Sequence, residues 1–128
     1  MNSICTLIIL AVLMTISGCS SKPNLDRSLR LINPSDDFEV SDIQVFLDET
    51  PLGGNYTATI FPKGIKTYGG IQSEWGDMKL VYKYEGASEP TTIIYDLAAR
   101  FGADYGGVVQ ITFVSANDVK IEKSTNKQ

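Results

Sequence analysis

Met78-Lys79-Leu80-Val81-Tyr82-Lys83-Tyr84-Glu85 alternates along its whole length, with Met78, Leu80, Tyr82 and Tyr84 on one side and Lys79, Val81, Lys83 and Glu85 on the other. Successive side chains of an extended chain point to opposite faces, so the pattern predicts a strand with one buried and one wetted face. Towards the N-terminus, Ile43, Val45 and Leu47 alternate with Gln44, Phe46 and Asp48 and predict a second strand of the same kind. Between the two, Pro51-Leu52-Gly53-Gly54-Asn55 is a turn, and Tyr56-Thr57-Ala58-Thr59-Ile60-Phe61 is rich in the β-branched and aromatic residues that strands favour. Pro62 and Gly64 end that strand, and the Gly- and aromatic-rich stretch from Lys63 to Asp77 is expected to be a long hairpin or an ordered loop.

Towards the C-terminus the periodicity changes. Ser88-Glu89-Pro90 offers a helix start, Ile93, Ile94, Leu97, Ala98 and Phe101 form one apolar stripe, and Gly102 stands where a helix ends. Ala103 to Gly107 turns the chain into the strand Val108-Val109-Gln110-Ile111-Thr112-Phe113-Val114, and a turn at Ala116-Asn117-Asp118 leads to a last short strand over Val119 to Glu122. The expected order is β-β-β-α-β-β, an α+β domain with a largely antiparallel sheet of about five strands and one helix packed on one face. The other face is then solvated, or covered by the 63–77 loop, the N-terminal segment or a partner.

The N-terminal region reads differently. Ile4 to Thr15 is an apolar run too short for the roughly 20 residues that span a bilayer, and it has the length of a signal-peptide core. It leads into Ile16-Ser17-Gly18-Cys19, which resembles the lipobox of bacterial lipoproteins: an aliphatic residue, a small residue, Gly or Ala, then Cys. The resemblance implies cleavage between Gly18 and Cys19 and a covalent lipid on the Cys19 sulfur, with further acylation of the new amino group. Several acyl chains give stable anchoring where one is marginal. The residue after Cys19 is Ser20 rather than Asp. In Gram-negative lipoproteins that pattern goes with export to the outer membrane, with the domain facing the periplasm. The resulting division is a signal peptide over 1–18, lipidated Cys19 and a tether over 19–37, an α+β domain over 38–123 and a frayed tail over 124–128. As a flexible coil, residues 20–37 would span about 23 Å. Leu25, Leu29 and Ile32 lie at near-helical spacing within the tether, which makes it either a strap on its own domain or a docking segment.

Composition narrows the chemistry. Removing residues 1–18 of 128 leaves 110, enough for one small domain. Cys5 leaves with the signal and Cys19 is taken by lipid, so the domain has no thiol for disulfide exchange, nucleophilic catalysis or metal binding. The chain has no histidine, the commonest zinc ligand and the usual general base. An enzyme is not expected, nor any cofactor beyond the covalent lipid. With 11 Lys and Arg against 15 Asp and Glu, the net charge of −4 disfavours nucleic acid as a partner.

The candidate interaction residues fall in two groups. Between Arg30 and Lys63 there is no basic residue, while Asp36, Asp37, Glu39, Asp42, Asp48 and Glu49 are acidic. This run is a solvated edge, a face for a partner, or a calcium site, although its spacing matches no calcium loop. From it Asp36, Asp37, Asp48 and Glu49 are taken as candidate partner-binding residues. The loop aromatics Tyr68, Trp75 and Tyr105 are the other candidates, since aromatics are enriched at interfaces. Glu74-Trp75-Gly76-Asp77 sets an indole between carboxylates, which fits a glycan or peptidoglycan contact as well as a core plug or a lid on the open sheet face. The Gly pairs 53-54, 69-70 and 106-107 read as turns rather than phosphate loops.

A further resemblance lies in Leu97-Ala98-Ala99-Arg100-Phe101-Gly102-Ala103-Asp104 ahead of Val108-Val109. It is similar to a helix-to-strand element of small bacterial envelope domains, among them the Rcs-type stress-sensing outer-membrane lipoprotein. Tyr105-Gly106-Gly107 replaces that element's short link, and the sensor's disulfide cysteines are absent, so the resemblance implies element order and no sensing mechanism. The expected function is that of an outer-membrane-anchored periplasmic lipoprotein that binds an envelope protein without catalysis. The alternatives are an inhibitor or immunity lipoprotein against a cell-wall hydrolase, and a module that contacts peptidoglycan.

Overall fold

Residues 78–85 form the strand that their alternation predicts. In the computed structural model, which describes residues 27–124, β6 runs from Asp77 to Tyr84 and buries Met78, Leu80 and Tyr82 completely. It lies between β2 (Val40–Leu47) and β7 (Thr91–Asp96), antiparallel to both. The short strands β3 (Thr50–Leu52) and β4 (Ala58–Ile60) both pair with β2 on its other side, completing a five-stranded antiparallel sheet. β2 carries one extra residue: Ser41 faces Lys83 while Gln44 faces Val81. Asp42, at φ +53, takes up the difference, so Val40 and Ile43 both point inward although three positions apart.

A second sheet has the order β5-β1-β8-β9, with β1 at Arg27–Ile32, β5 at Ile65–Ile71, β8 at Val108–Ser115 and β9 at Asp118–Lys123. β1 and β8 are parallel, and the other pairs are antiparallel. The two sheets share one core, closed by Leu29, Ile111 and Phe113 from one side and Val45, Leu80 and Tyr82 from the other. The Tyr82 and Phe113 rings meet edge to face at 4.8 Å, and the Tyr82 hydroxyl donates to the Ser115 carbonyl at 3.3 Å.

Over the described residues the fold is α+β, mostly strand, with a five-stranded antiparallel sheet and one helix, as the alternation predicts. Local expectations for the helix and the tether are corrected. The helix expected from residue 88 is α1, Leu97–Phe101 only. Thr91-Thr92-Ile93-Ile94-Tyr95 is β-branched or aromatic throughout, and it pairs with β6 in unbroken register. Asp96 then caps the helix by accepting from the Ala99 amide at 3.0 Å, and Gly102, at φ +99, ends it. So short a helix cannot cover a sheet face, and it contributes one fully buried side chain, Leu97, beside the second sheet that does.

The tether assignment is corrected as well. Residues 27–32 are a central strand, with Leu29 and Leu31 buried at a spacing of two rather than four. Arg27, in β1, is held by its Nε and Nη1, which donate to the carbonyls of Tyr105 (3.2 Å) and Gln72 (3.4 Å). The end of the strand is fixed by Asn33, 0% exposed, whose side-chain amide donates to the carbonyls of Phe38, Ile60 and Phe61 while its oxygen accepts from the Ser35 amide. The 63–77 stretch supplies β5 and the loop after it. The domain therefore includes Arg27, and the boundary expected at Phe38 moves back. The signal peptide, Gly18 and Cys19, residues 20–26 and the tail over 125–128 lie outside the described residues.

Candidate functional site

The outer face of the five-stranded sheet carries a cleft of about 350 Å³, lined by Phe46, Asp48, Glu49, Asp77, Met78, Lys79 and Ile94. It is built across three strands by register. Phe46 of β2 faces Lys79 of β6, which faces Ile94 of β7. Each lies on the opposite face of its strand from the core residues beside it, so the row is turned outward. Lys79 Nζ sits 4.7 Å from the centre of the Phe46 ring, and Ile94 is 71% exposed.

One end of the row is acidic. Leu47 and Thr50 are joined by a two-residue turn in which Asp48 and Glu49 both have positive φ, +47 and +71. The turn is tied to β6 in both directions: the Asp48 amide donates to the Asp77 carbonyl at 2.8 Å, and the Asp77 amide donates to Asp48 Oδ1 at 2.9 Å. Asp77 in turn faces Asp96 across β6 and β7. Among the described residues, the ion pairs are Lys63–Asp36 and Lys120–Glu122, so the carboxylates of Asp48, Glu49, Asp77 and Asp96 have no ion-pair partner there. The result is an apolar strip with a single lysine and an uncompensated anionic rim, suited to a ligand that is part apolar and part cationic.

The predicted residues do not form one site. Asp48 and Glu49 are brought together at the cleft. Asp36 and Asp37 lie beyond the far end of β1, with Asp36 in an exposed pair with Lys63 at 3.2 Å, a contact worth little. Tyr68 is half-buried on β5, 5.2 Å beneath Lys66 Nζ, and burial raises its hydroxyl pKa. Trp75 is the core plug rather than a partner-binding or glycan-contacting residue: it is 2% exposed, and its Nε1 donates to the Tyr105 carbonyl at 2.7 Å. An indole so enclosed has no face to offer a glycan or a partner. Tyr105 is half-buried too, its hydroxyl donating to the Val108 carbonyl at 3.2 Å and its ring 6.3 Å from that of Phe101 and 4.6 Å from Lys123 Nζ. Asp77 stands out in the sequence only as a neighbour of Trp75, and Phe46, Lys79 and Ile94 do not stand out as site residues at all. Their signal was the wetted side of each alternating strand, which becomes a site only once register aligns the strands. Among the described residues, no group of three or more acidic, histidine or cysteine side chains is placed to hold a metal ion.

No family model matches the chain, and no curated protein does. The chain is similar in structure to a protein from Eubacterium rectale solved by NMR, with a TM-score of 0.51 and 16% sequence identity over 84% of this chain and 97% of that one. At that identity the likeness bears on the fold alone.

Proposed function

We propose that the chain is an outer-membrane lipoprotein, held by lipid on Cys19, whose domain serves in the periplasm as a non-catalytic protein-binding or assembly module of an envelope complex. The observation that carries the binding role is the cleft, where exposed Ile94 and the Phe46 ring adjoin the unpaired acids Asp48, Glu49 and Asp77. Exposed apolar side chains ringed by polar ones are a common form of protein contact. The lipobox over residues 16–19 supports the anchor. Arg27 of β1 follows Cys19 by eight positions in the chain, which bounds its distance from the lipid attachment. A fully extended chain then keeps Arg27 within about 29 Å of the lipid attachment, so the module works close to the membrane.

Two experiments test this. Growth with labelled palmitate should label the wild-type chain and leave Cys19→Ala unlabelled. In-cell crosslinking through a C-terminal tag should capture a defined envelope protein with wild type and lose it with Cys19→Ala. An abundant, lipidated chain that captures nothing specific would contradict the binding role, and an unlabelled wild type would contradict the anchor.

A further inference from the structure

The sheet edges are protected unequally. An exposed edge strand invites pairing with another chain, and proteins blunt it with charge, proline, bulges or shortness. On one side of the five-stranded sheet, β3 and β4 have three residues each and β3 contains Pro51. In the other sheet, β5 carries Lys66 and an extra residue at Gly69-Gly70, with Gly70 at φ +64, while β9 carries Asp118, Lys120, Glu122 and Lys123. β7 has none of these devices before its last residue. It is six residues long, reads Thr-Thr-Ile-Ile-Tyr-Asp, and pairs with β6 over six consecutive positions without a bulge. It is the terminal strand of its sheet, and no backbone bond joins residues 92–95 to an element other than β6 among the described residues.

This edge also adjoins the cleft. Thr92, Ile94 and Asp96 share the outer face of β7, so a strand added beside it would set its own outer side chains next to an exposed isoleucine and, two positions on, an acid. We propose that the β7 edge is a strand-addition site for an extended segment of a partner protein, in which apolar and basic side chains alternate along the face that meets Ile94 and the Asp77–Asp96 rim. The proposal rests on reading the chain as a binding module and gives that partner its chemistry. Main-chain hydrogen bonds supply the attachment and the alternate side chains the selectivity. A second copy of the chain is a poorer occupant, since pairing β7 with itself joins two chains of net charge −4 and offers the acids no cation.

The test uses the full chain in detergent micelles and an octapeptide, threonine-lysine-threonine-isoleucine repeated once. Hydrogen exchange should slow at least about tenfold within residues 92–95 at saturating peptide. Glutamate in place of lysine should weaken binding about fivefold or more. N-methylation of the peptide backbone should abolish it. Ile94→Lys places a protective charge at a solvent-exposed position and should abolish binding with the thermal midpoint unchanged. Asp77→Lys, on the neighbouring strand of the same rim, should narrow the preference for the lysine peptide over the glutamate peptide. Protection at β5 or β9, no protection up to about 1 mM peptide, equal binding of the N-methylated peptide, or a dimer joined through β7 would each overturn the proposal. The module itself is judged separately: if in-cell capture through the lipidated chain persists while the peptide fails, strand addition is wrong and the binding role stands.

Discussion

Replacing Trp75 tests the core most severely, because the sequence permits a surface role for it that the structure denies. The indole is 2% exposed and donates to the Tyr105 carbonyl at 2.7 Å. Trp75→Ala opens a large cavity, for which about 3–5 kcal/mol is the usual cost. The lost hydrogen bond adds up to about 1 kcal/mol, moderated because Arg27 Nε still donates to the same carbonyl. With a urea slope of about 1–2 kcal/mol per molar for a domain of this size, the unfolding midpoint should fall by about 2–4 M. Trp75→Phe keeps much of the ring and should lose about half as much. Trp75 is the sole tryptophan of the chain, so its fluorescence reports this position directly. Wild type should emit as a shielded indole, poorly quenched by acrylamide, and shift to the red on unfolding. An alanine variant that keeps its midpoint within about 0.3 M, or one that is stable yet no longer co-sediments with peptidoglycan, would contradict a core role for Trp75.

Other outcomes follow from single residues. Asn33→Ala strips the Phe38, Ile60 and Phe61 carbonyls of their shared donor and should cost about 2–4 kcal/mol in chemical denaturation. Glu49→Gly relieves a non-glycine residue at φ +71 and should stabilise by about 0.5–1 kcal/mol, seen as a thermal midpoint about 3–5 °C higher. The Tyr82 hydroxyl is pushed up to about 12, first by burial and then by the charges of Asp118 and Tyr84. A tyrosine whose pKa is raised on folding keeps its proton after the unfolded chain has lost it, so the contribution of Tyr82 to stability should be constant below pH 10 and fall between about pH 10 and 12. Tyr82→Phe should flatten that fall, as measured by urea midpoints across the range.

What the sequence discloses follows from how each signal is encoded. β6, β8 and β9 are legible because one face of each is buried and the apolar residues recur every second position. Ile93, Ile94, Leu97 and Phe101 satisfy helical spacing as well as any strand pattern, so periodicity alone points to a helix. The β-branched run 91–94 and the capping Asp96 are what divide the segment into β7 and α1. β1 is obscured because its buried set contains Arg27, whose guanidinium is accommodated by two carbonyls that only the folded loops supply. The acids of the cleft stand out along the chain, whereas Phe46, Lys79 and Ile94 come from three strands and become neighbours through register, which no local stretch carries. Trp75 and Tyr105 are both in loops and both aromatic, and nothing in the residues themselves says that one ring is enclosed while the other is half-exposed.

Site-specific photocrosslinking in living cells tests the central claim most directly. A photoreactive residue at Ile94 or Glu49, on the cleft, and at Lys120, on the opposite sheet, would be compared in wild-type and Cys19→Ala backgrounds. One defined envelope protein should crosslink from positions 94 and 49, be absent from position 120 and be lost in the Cys19→Ala background. Equal capture from position 120, or none from the cleft while the chain is abundant at the outer membrane, would contradict that claim.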